Sequence, residues 1–183
     1  MKIIENFIAP AYQDHIESVL LGDNFQWYLH KSTVSEAYSG SKGKNVVDSP
    51  QFAHVFTVNG EVMSQYWSLI QPLTFFLMER ENIDTSKVAR VKANINMQDP
   101  LFDNNNYFTP HIDCKDAKVF TTAIYYVNDA DGDTLFFDRS GKITDRVTPK
   151  KGSLVYFDGR TMHAGQPPSK TPYRCLINFN FIK

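Results

Sequence analysis

Four side chains in the second half of this sequence could do chemistry together. His111 and Asp113 stand two apart in His111-Ile112-Asp113. In a strand, residues i and i+2 share a face, so imidazole and carboxylate would project side by side with Ile112 turned away. His163 follows Asp113 by fifty residues, in Thr161-Met162-His163-Ala164-Gly165. Two imidazoles and one carboxylate on one face of an octahedron hold a divalent metal and leave positions open, the donor set of non-haem Fe(II) centres. Arg174 comes eleven positions after His163. An arginine directed into a protein interior is costly unless an anion meets it, and a carboxylate matches its planar fork. Each feature alone has a commoner origin. A His-x-Asp triplet usually caps a turn, a lone His beside Gly sits in a loop, and a strand Arg makes a surface salt bridge. Order and spacing together give the set its meaning.

The elements that must position these residues follow from periodicity. From Val88 onward apolar residues recur with period two, over 88–96, 119–128, 133–137, 153–157 and 173–182, separated by Gly, Asp, Asn and Pro clusters. The last segment places Cys175, Ile177, Phe179 and Phe181 on one face and Arg174, Leu176, Asn178 and Asn180 on the other. The first face should pack against helices, and the second should line a cavity. An all-β second half of this kind is a sandwich, jelly roll or barrel. Residues 1–87 read as helical support. Pro10 can start a helix carrying Tyr12, Ile16, Val19 and Leu20, with Gly22 as its stop. Phe25 to His30 is a short aromatic strand, and the polar stretch Ser32 to Pro50 is a surface loop. Val62, Tyr66, Leu69, Ile70, Leu73, Phe76 and Leu77 make one face of a longer helix, which Pro72 should kink or split.

Composition bounds the remaining choices. The 183 residues fit a single domain, 1–183, with 42% hydrophobic and 21% charged residues. A formal charge of -1 offers no strong pull toward nucleic acid or anionic membrane. No apolar run approaches a membrane span, and the Met1-Lys2-Ile3-Ile4-Glu5 start does not resemble a secretory signal. Two cysteines, Cys114 and Cys175, form no CxxC pair, and a cytoplasmic, reducing setting is the simplest expectation. Cys114 adjoins Asp113, but strand alternation turns it away from both candidate ligands, as a structural residue.

From about Arg90 to Phe181 the sequence resembles the Fe(II)/2-oxoglutarate-dependent dioxygenases, within them the prolyl-hydroxylase-like branch. The carrying motif is His-x-Asp, a long interval, a distal His, then a basic residue about ten positions on. Thr122-Ala123-Ile124-Tyr125-Tyr126-Val127-Asn128 is similar to the strand after the first ligands. Asp131-Gly132-Asp133-Thr134-Leu135-Phe136-Phe137 resembles the family's Gly-Gly-x-Thr turn, with Asp133 in place of the second Gly. Val147-Thr148-Pro149-Lys150-Lys151-Gly152-Ser153-Leu154-Val155-Tyr156-Phe157 resembles the strand leading to the distal His.

The resemblance implies a double-stranded β-helix, a jelly roll, with N-terminal helices as a buttress. It implies that His111, Asp113 and His163 bind Fe(II), and that Arg174 and Tyr126 hold the far carboxylate of 2-oxoglutarate. Asn94, in the strand before His111, is a further candidate to reach that cosubstrate. The implied activity is an oxidoreductase reaction: hydroxylation of a C–H bond with O2, releasing succinate and CO2, with ascorbate as a supporting reductant. The substrate would be a peptide or protein, a prolyl side chain included, or a small molecule. Phe108 and Arg174 stand where many prolyl 4-hydroxylases carry Tyr and Lys. Two other classes use the same barrel: a non-catalytic jelly-roll binder of a small ligand, and a Zn or Mn cupin-like enzyme. Asp103 to Tyr107 and Ser32 to Pro50 are the candidate rim loops.

Overall fold

The computed structural model describes residues 1–33, 45–47, 49–103, 105–113 and 120–182. The Cys114 expectation, most of the Ser32 to Pro50 loop and Asn104 lie outside them. The described residues form two antiparallel sheets and three helices. The larger sheet holds β1 (Lys2–Ile4), β2 (Tyr28–His30), β3 (Gln51–Val58), β4 (Glu61–Val62), β5 (Val88–Met97), β6 (Phe120–Tyr126), β9 (Leu154–Asp158) and β11 (Tyr173–Ile182). Its strand order is β1-β9-β6-β11-β5-β3-β2, with β4 on β3. The smaller sheet is β10 (His163–Gly165), β7 (Thr134–Phe137) and β8 (Ile143–Val147), in that order.

Alternation of side chains builds three layers from these sheets. Ala123, Tyr125, Cys175, Ile177, Phe179 and Phe181 face a core completed by helical residues such as Ile16, Leu20, Ile70, Leu73 and Leu77. Ile124, Tyr126, Val155, Phe157 and Leu176 point the opposite way and meet Phe136 and Val147 of the smaller sheet. The result is the jelly roll with a helical buttress that the family resemblance implies, one of the three all-β forms the period-two pattern leaves open. Among the described residues, no helix is long and apolar enough to cross a membrane.

The helices follow the sequence signals closely. α1 (Pro10–Leu20) starts with Pro at its first turn, where the missing N–H is not needed. Lys151 ties the helix down through Asp14, at 2.6 Å, and through Glu17. Pro72 splits the next helical stretch into α2 (Trp67–Ile70) and α3 (Pro72–Glu81), and Asn82 ends it in the left-handed conformation with φ 52°.

The first 87 residues are not helical support alone. β1 pairs with β9, and β3 pairs with β5 along most of its length. Val62 belongs to the exposed β4 hairpin rather than to the helix face assigned from periodicity. β3 escapes the period-two test because its register with β5 shifts between Val55 and Thr57. A bulge there lets buried residues fall at 53, 54, 56 and 57 instead of alternating.

Candidate metal centre and cosubstrate pocket

His111 and His163 are joined through their backbones. His111 N–H donates to His163 O at 2.9 Å, and His163 N–H donates to His111 O at 3.0 Å, an isolated antiparallel bridge. Phe108 N–H bonds Gly165 O on the same side, so residues 108–111 run along β10. β10 is itself fixed by β7, with His163 opposite Phe136. Asp113 follows on a bend, held by its N–H on Gly159 O at 2.9 Å. Strand alternation is thus not what brings His111 and Asp113 together, and Ile112 also lines the cavity instead of turning away.

One ligand atom from each of His111, Asp113 and His163 lies within 4.8 Å of the other two. Asp113 Oδ1 is 4.0 Å from His111 Nε2, and Oδ2 is 3.8 Å from His163 Nε2. Both Nδ1 atoms face backbone carbonyls, Thr109 O at 3.1 Å and Thr161 O at 2.9 Å. A carbonyl only accepts, so each ring carries its proton on Nδ1 and turns the Nε2 lone pair toward Asp113. Asp113 Oδ2 accepts from Thr122 Oγ1 at 2.8 Å and Asn180 Nδ2 at 3.0 Å. Phe157 packs edge-on against the His163 ring, at 4.9 Å between centroids.

The electrostatics suit a metal site. Burial, then the neighbouring His163, pushes the His111 imidazolium down to about 3. Burial pushes the Asp113 carboxyl up, but His163, His111 and the Thr122 hydroxyl outweigh it and hold the group at about 2. Near neutral pH His111 is therefore neutral and Asp113 ionised, the states that ligate a cation. Two nitrogens and one oxygen converging from one side fit Fe(II) with open positions.

Arg174 lies deeper in the same cavity and is buried. Its Nε donates to Gly132 O at 2.7 Å and Nη2 to Thr134 Oγ1 at 2.7 Å. A Cβ on Gly165 would stand 3.4 Å from Nη1 and 3.5 Å from the Phe108 ring, so the bare glycine lets the guanidinium lie flat there. No carboxylate pairs with Arg174 among the described residues. Burial lowers its pKa, with Tyr126 and Asp133 acting in the opposite direction. A guanidinium buried in this way calls for an anion from outside the chain.

Tyr126 is fully buried and does not line the cavity; its hydroxyl lies 2.8 Å from Thr134 Oγ1. Thr134 stands between it and the open space, so Tyr126 reaches Arg174 through that shared hydroxyl and through its ring, 5.9 Å from the guanidinium carbon. Asn94 does line the cavity, with a buried Oδ1 that has no partner among the described residues. Thr122 and Thr134 are not singled out by the sequence, and Asn180 is placed only on the cavity face, without its bond to Asp113. Their roles depend on cross-strand register, which places Asn180 opposite Thr122. The cavity holds about 780 Å³, enough for a small dicarboxylate with room beyond it.

A jelly roll with two histidines and an aspartate at its open end, backed by a buried arginine, defines a non-haem metal oxygenase class of site. Residues 97–182, which carry all four of these side chains, match the model of the 2OG-Fe(II) oxygenase superfamily, and the chain is similar to that superfamily over this stretch. It is a 2-oxoglutarate-dependent oxygenase that uses Fe(II), 2-oxoglutarate and O2, and neither the binder nor the cupin-like alternative is favoured.

Solved structures share the fold. An oxidoreductase of the 2OG-Fe(II) oxygenase family from Burkholderia pseudomallei aligns with TM-score 0.69 at 10% identity, over 98% of this chain and 84% of that one. A prolyl hydroxylase from Trichoplax adhaerens, in complex with a hypoxia inducible factor peptide fragment, gives 0.61 at 14%, over 98% and 82%. The epimerase SnoN, in complex with Fe3+, alpha ketoglutarate and nogalamycin RO, gives 0.59 at 11%, over 99% and 78%. No curated protein matches the chain in sequence.

Proposed function

We propose that this oxygenase hydroxylates a C–H bond of a peptide, protein or small-molecule substrate. 2-Oxoglutarate would be converted to succinate and CO2, one oxygen atom of O2 entering succinate and the other the product. His111, Asp113 and His163 hold the iron, and Arg174 binds the far carboxylate of 2-oxoglutarate. The observation that carries this assignment is the buried, carboxylate-free Arg174 guanidinium, opening on the same cavity as the three ligands.

The bound iron and cosubstrate supply the oxidising chemistry, and the chain's residues orient and enclose it. The Thr109 and Thr161 carbonyls keep both imidazoles in the metal-binding tautomer. Thr122 and Asn180 hold Asp113 Oδ2 through two hydrogen bonds and fix the carboxylate's tilt. Thr134 ties Arg174 to Tyr126, a positioning residue behind the cosubstrate wall. Phe108 and Leu176 give that part of the cavity apolar surfaces that exclude water. The fold is shared with a prolyl hydroxylase crystallised with a peptide and with an epimerase crystallised with a small molecule, which supports either substrate class.

Adding 2-oxoglutarate and Fe(II) without oxygen should produce the weak visible charge-transfer band of the chelate, and admitting O2 should release succinate. Untargeted mass spectrometry of peptide and metabolite mixtures should then find products heavier by one oxygen. Absence of both band and succinate at saturating iron would overturn the assignment.

A further inference from the structure

We propose that Arg90 and Lys92 form a second oxyanion site, at the Asp113 end of the cavity, and that the substrate brings a carboxylate or phosphate to it. This deepens the oxygenase assignment above and rests on it for the identity of the occupant.

β5 and β11 run antiparallel with a register that lays out the cavity floor. Arg174 faces Asn96, Asn178 faces Lys92, and Asn180 faces Arg90. Asn180 also bonds Asp113, so Arg90 stands beside the metal centre while Arg174 lies at the other end. Along the strand Asn178 and Asn180 lie four and six residues from Arg174, about 13 and 20 Å of backbone at the usual rise. Arg174 is held at its own end by Gly132 O and Thr134 Oγ1, so Arg90 and Lys92 occupy a separate place on the cavity floor.

The cavity's charges point the same way. Asp113 is the one acid among the described residues that line it. Fe(II), dianionic 2-oxoglutarate, ionised Asp113 and Arg174 cancel one another. Arg90 and Lys92 are left over as uncompensated positive charges within the cavity, together with the exposed Lys31. Offsetting Asp113 is therefore not their role once the divalent ion is present.

Among the described residues their surroundings supply no ion-pair partner, and Arg90 Nε is buried without a hydrogen bond, its Nη2 reaching Asn180 Oδ1 at 3.3 Å. Val55 and Val58 of β3 stand opposite Lys92 and Arg90, so the flanking wall is apolar. Burial, then Arg90, pushes the Lys92 ammonium down to about 8, with the Asp113 charge acting in the opposite direction. Cations flanked by valines on one side, one of them with a buried, unbonded N–H, are costly without a ligand. An oxyanion would satisfy both and place a C–H bond of the same molecule near the iron ligands.

The test is calorimetric titration of sulfate into the protein loaded with Mn(II) and 2-oxoglutarate. One sulfate should bind per loaded chain, and Lys92→Met or Arg90→Gln should weaken it at least tenfold. Methyl phosphate and acetate, titrated in the same way, identify the natural group by which binds more tightly. The protein without metal or cosubstrate should take up two sulfates, the second at Arg174, and Lys92→Met should remove one of them. That arm reports on the site even if loading fails, so failure of the oxygenase assignment is seen separately, as a missing charge-transfer band. Lys92→Met keeps the side chain's length and serves alone if Arg90→Gln does not fold. No saturable sulfate binding by the loaded protein, or equal binding by wild type and Lys92→Met, would overturn the proposal.

Discussion

Arg174 spends two of its donor groups on Gly132 O and Thr134 Oγ1, and these fix the plane of the guanidinium. That preorganisation is what a bidentate carboxylate contact needs. Arg174→Leu should raise the 2-oxoglutarate KM far more than it weakens iron binding. A charge-assisted hydrogen bond is worth about 1.5–3 kcal/mol, roughly ten- to a hundredfold. Arg174→Lys should show a smaller rise, because a point charge cannot reproduce the fork. Steady-state kinetics with calorimetry of 2-oxoglutarate binding checks both, and an unchanged affinity in Arg174→Leu would leave Arg174 as a structural cation. The face of Arg174 was legible in the sequence because Cys175, Ile177, Phe179 and Phe181 alternate strictly with it. The convergence of His111 and His163 was legible only through the family motif and not through alternation, since it depends on a backbone bridge between residues far apart in the chain. Tyr126 shows the same limit. Alternation gave its face correctly, but only the fold reveals Thr134 in front of it.

The turn before β7 and the segment before β11 act as one device. Asp131 accepts hydrogen bonds from the backbone N–H groups of Ser169, Lys170 and Thr171 and from the hydroxyls of Ser169 and Thr171. Burial pushes its carboxyl up, but these donors, led by the Ser169 hydroxyl, hold it below the usual carboxylate range. The stabilisation is present above the unfolded-state value of 3.8 and is lost as pH falls below it, because the unfolded chain then takes up the proton first. Asp131→Asn should therefore be less stable than wild type at neutral pH, with the gap starting to narrow as pH falls below 3.8 and closing only at the lower folded-state value. Urea midpoints across that range measure it. Gly132 follows directly. A Cβ there would stand 2.4 Å from Gln166 O and 2.8 Å from the Pro167 carbonyl carbon, backbone atoms that cannot swing aside. Gly132→Ala should destabilise the fold and displace the carbonyl that receives Arg174 Nε. A lower Tm together with a raised 2-oxoglutarate KM would show both effects, whereas a purely packing defect would lower Tm alone. β3 marks the limit of legibility for elements, since its bulge erases the alternation by which β5 and β11 declare themselves.

Residues from both halves of the chain share one core, with β1 and β3 in the same sheet as β9 and β5. We propose on this basis that 1–183 is a single domain unfolding in one cooperative transition. The candidate metal ligands lie outside the hydrophobic cluster under the helices, with His163 in the smaller sheet. Chelation with EDTA, and His163→Ala, should abolish succinate formation while leaving the far-ultraviolet circular dichroism and a single unfolding transition in place. Loss of the fold on chelation would mean that the metal organises the barrel. The His111–His163 bridge carries a corollary for how such a chain tolerates change. The two histidines are clasped through space, so the fifty residues from Asp113 to His163 need not keep a fixed count. The Asp138–Lys142 turn closes the β7–β8 hairpin on exposed residues, with Asp138 N–H bonded to Lys142 O at 2.9 Å. Insertions there, or a circular permutant opened at Ser140, should lengthen or reorder the polypeptide without parting the clasp.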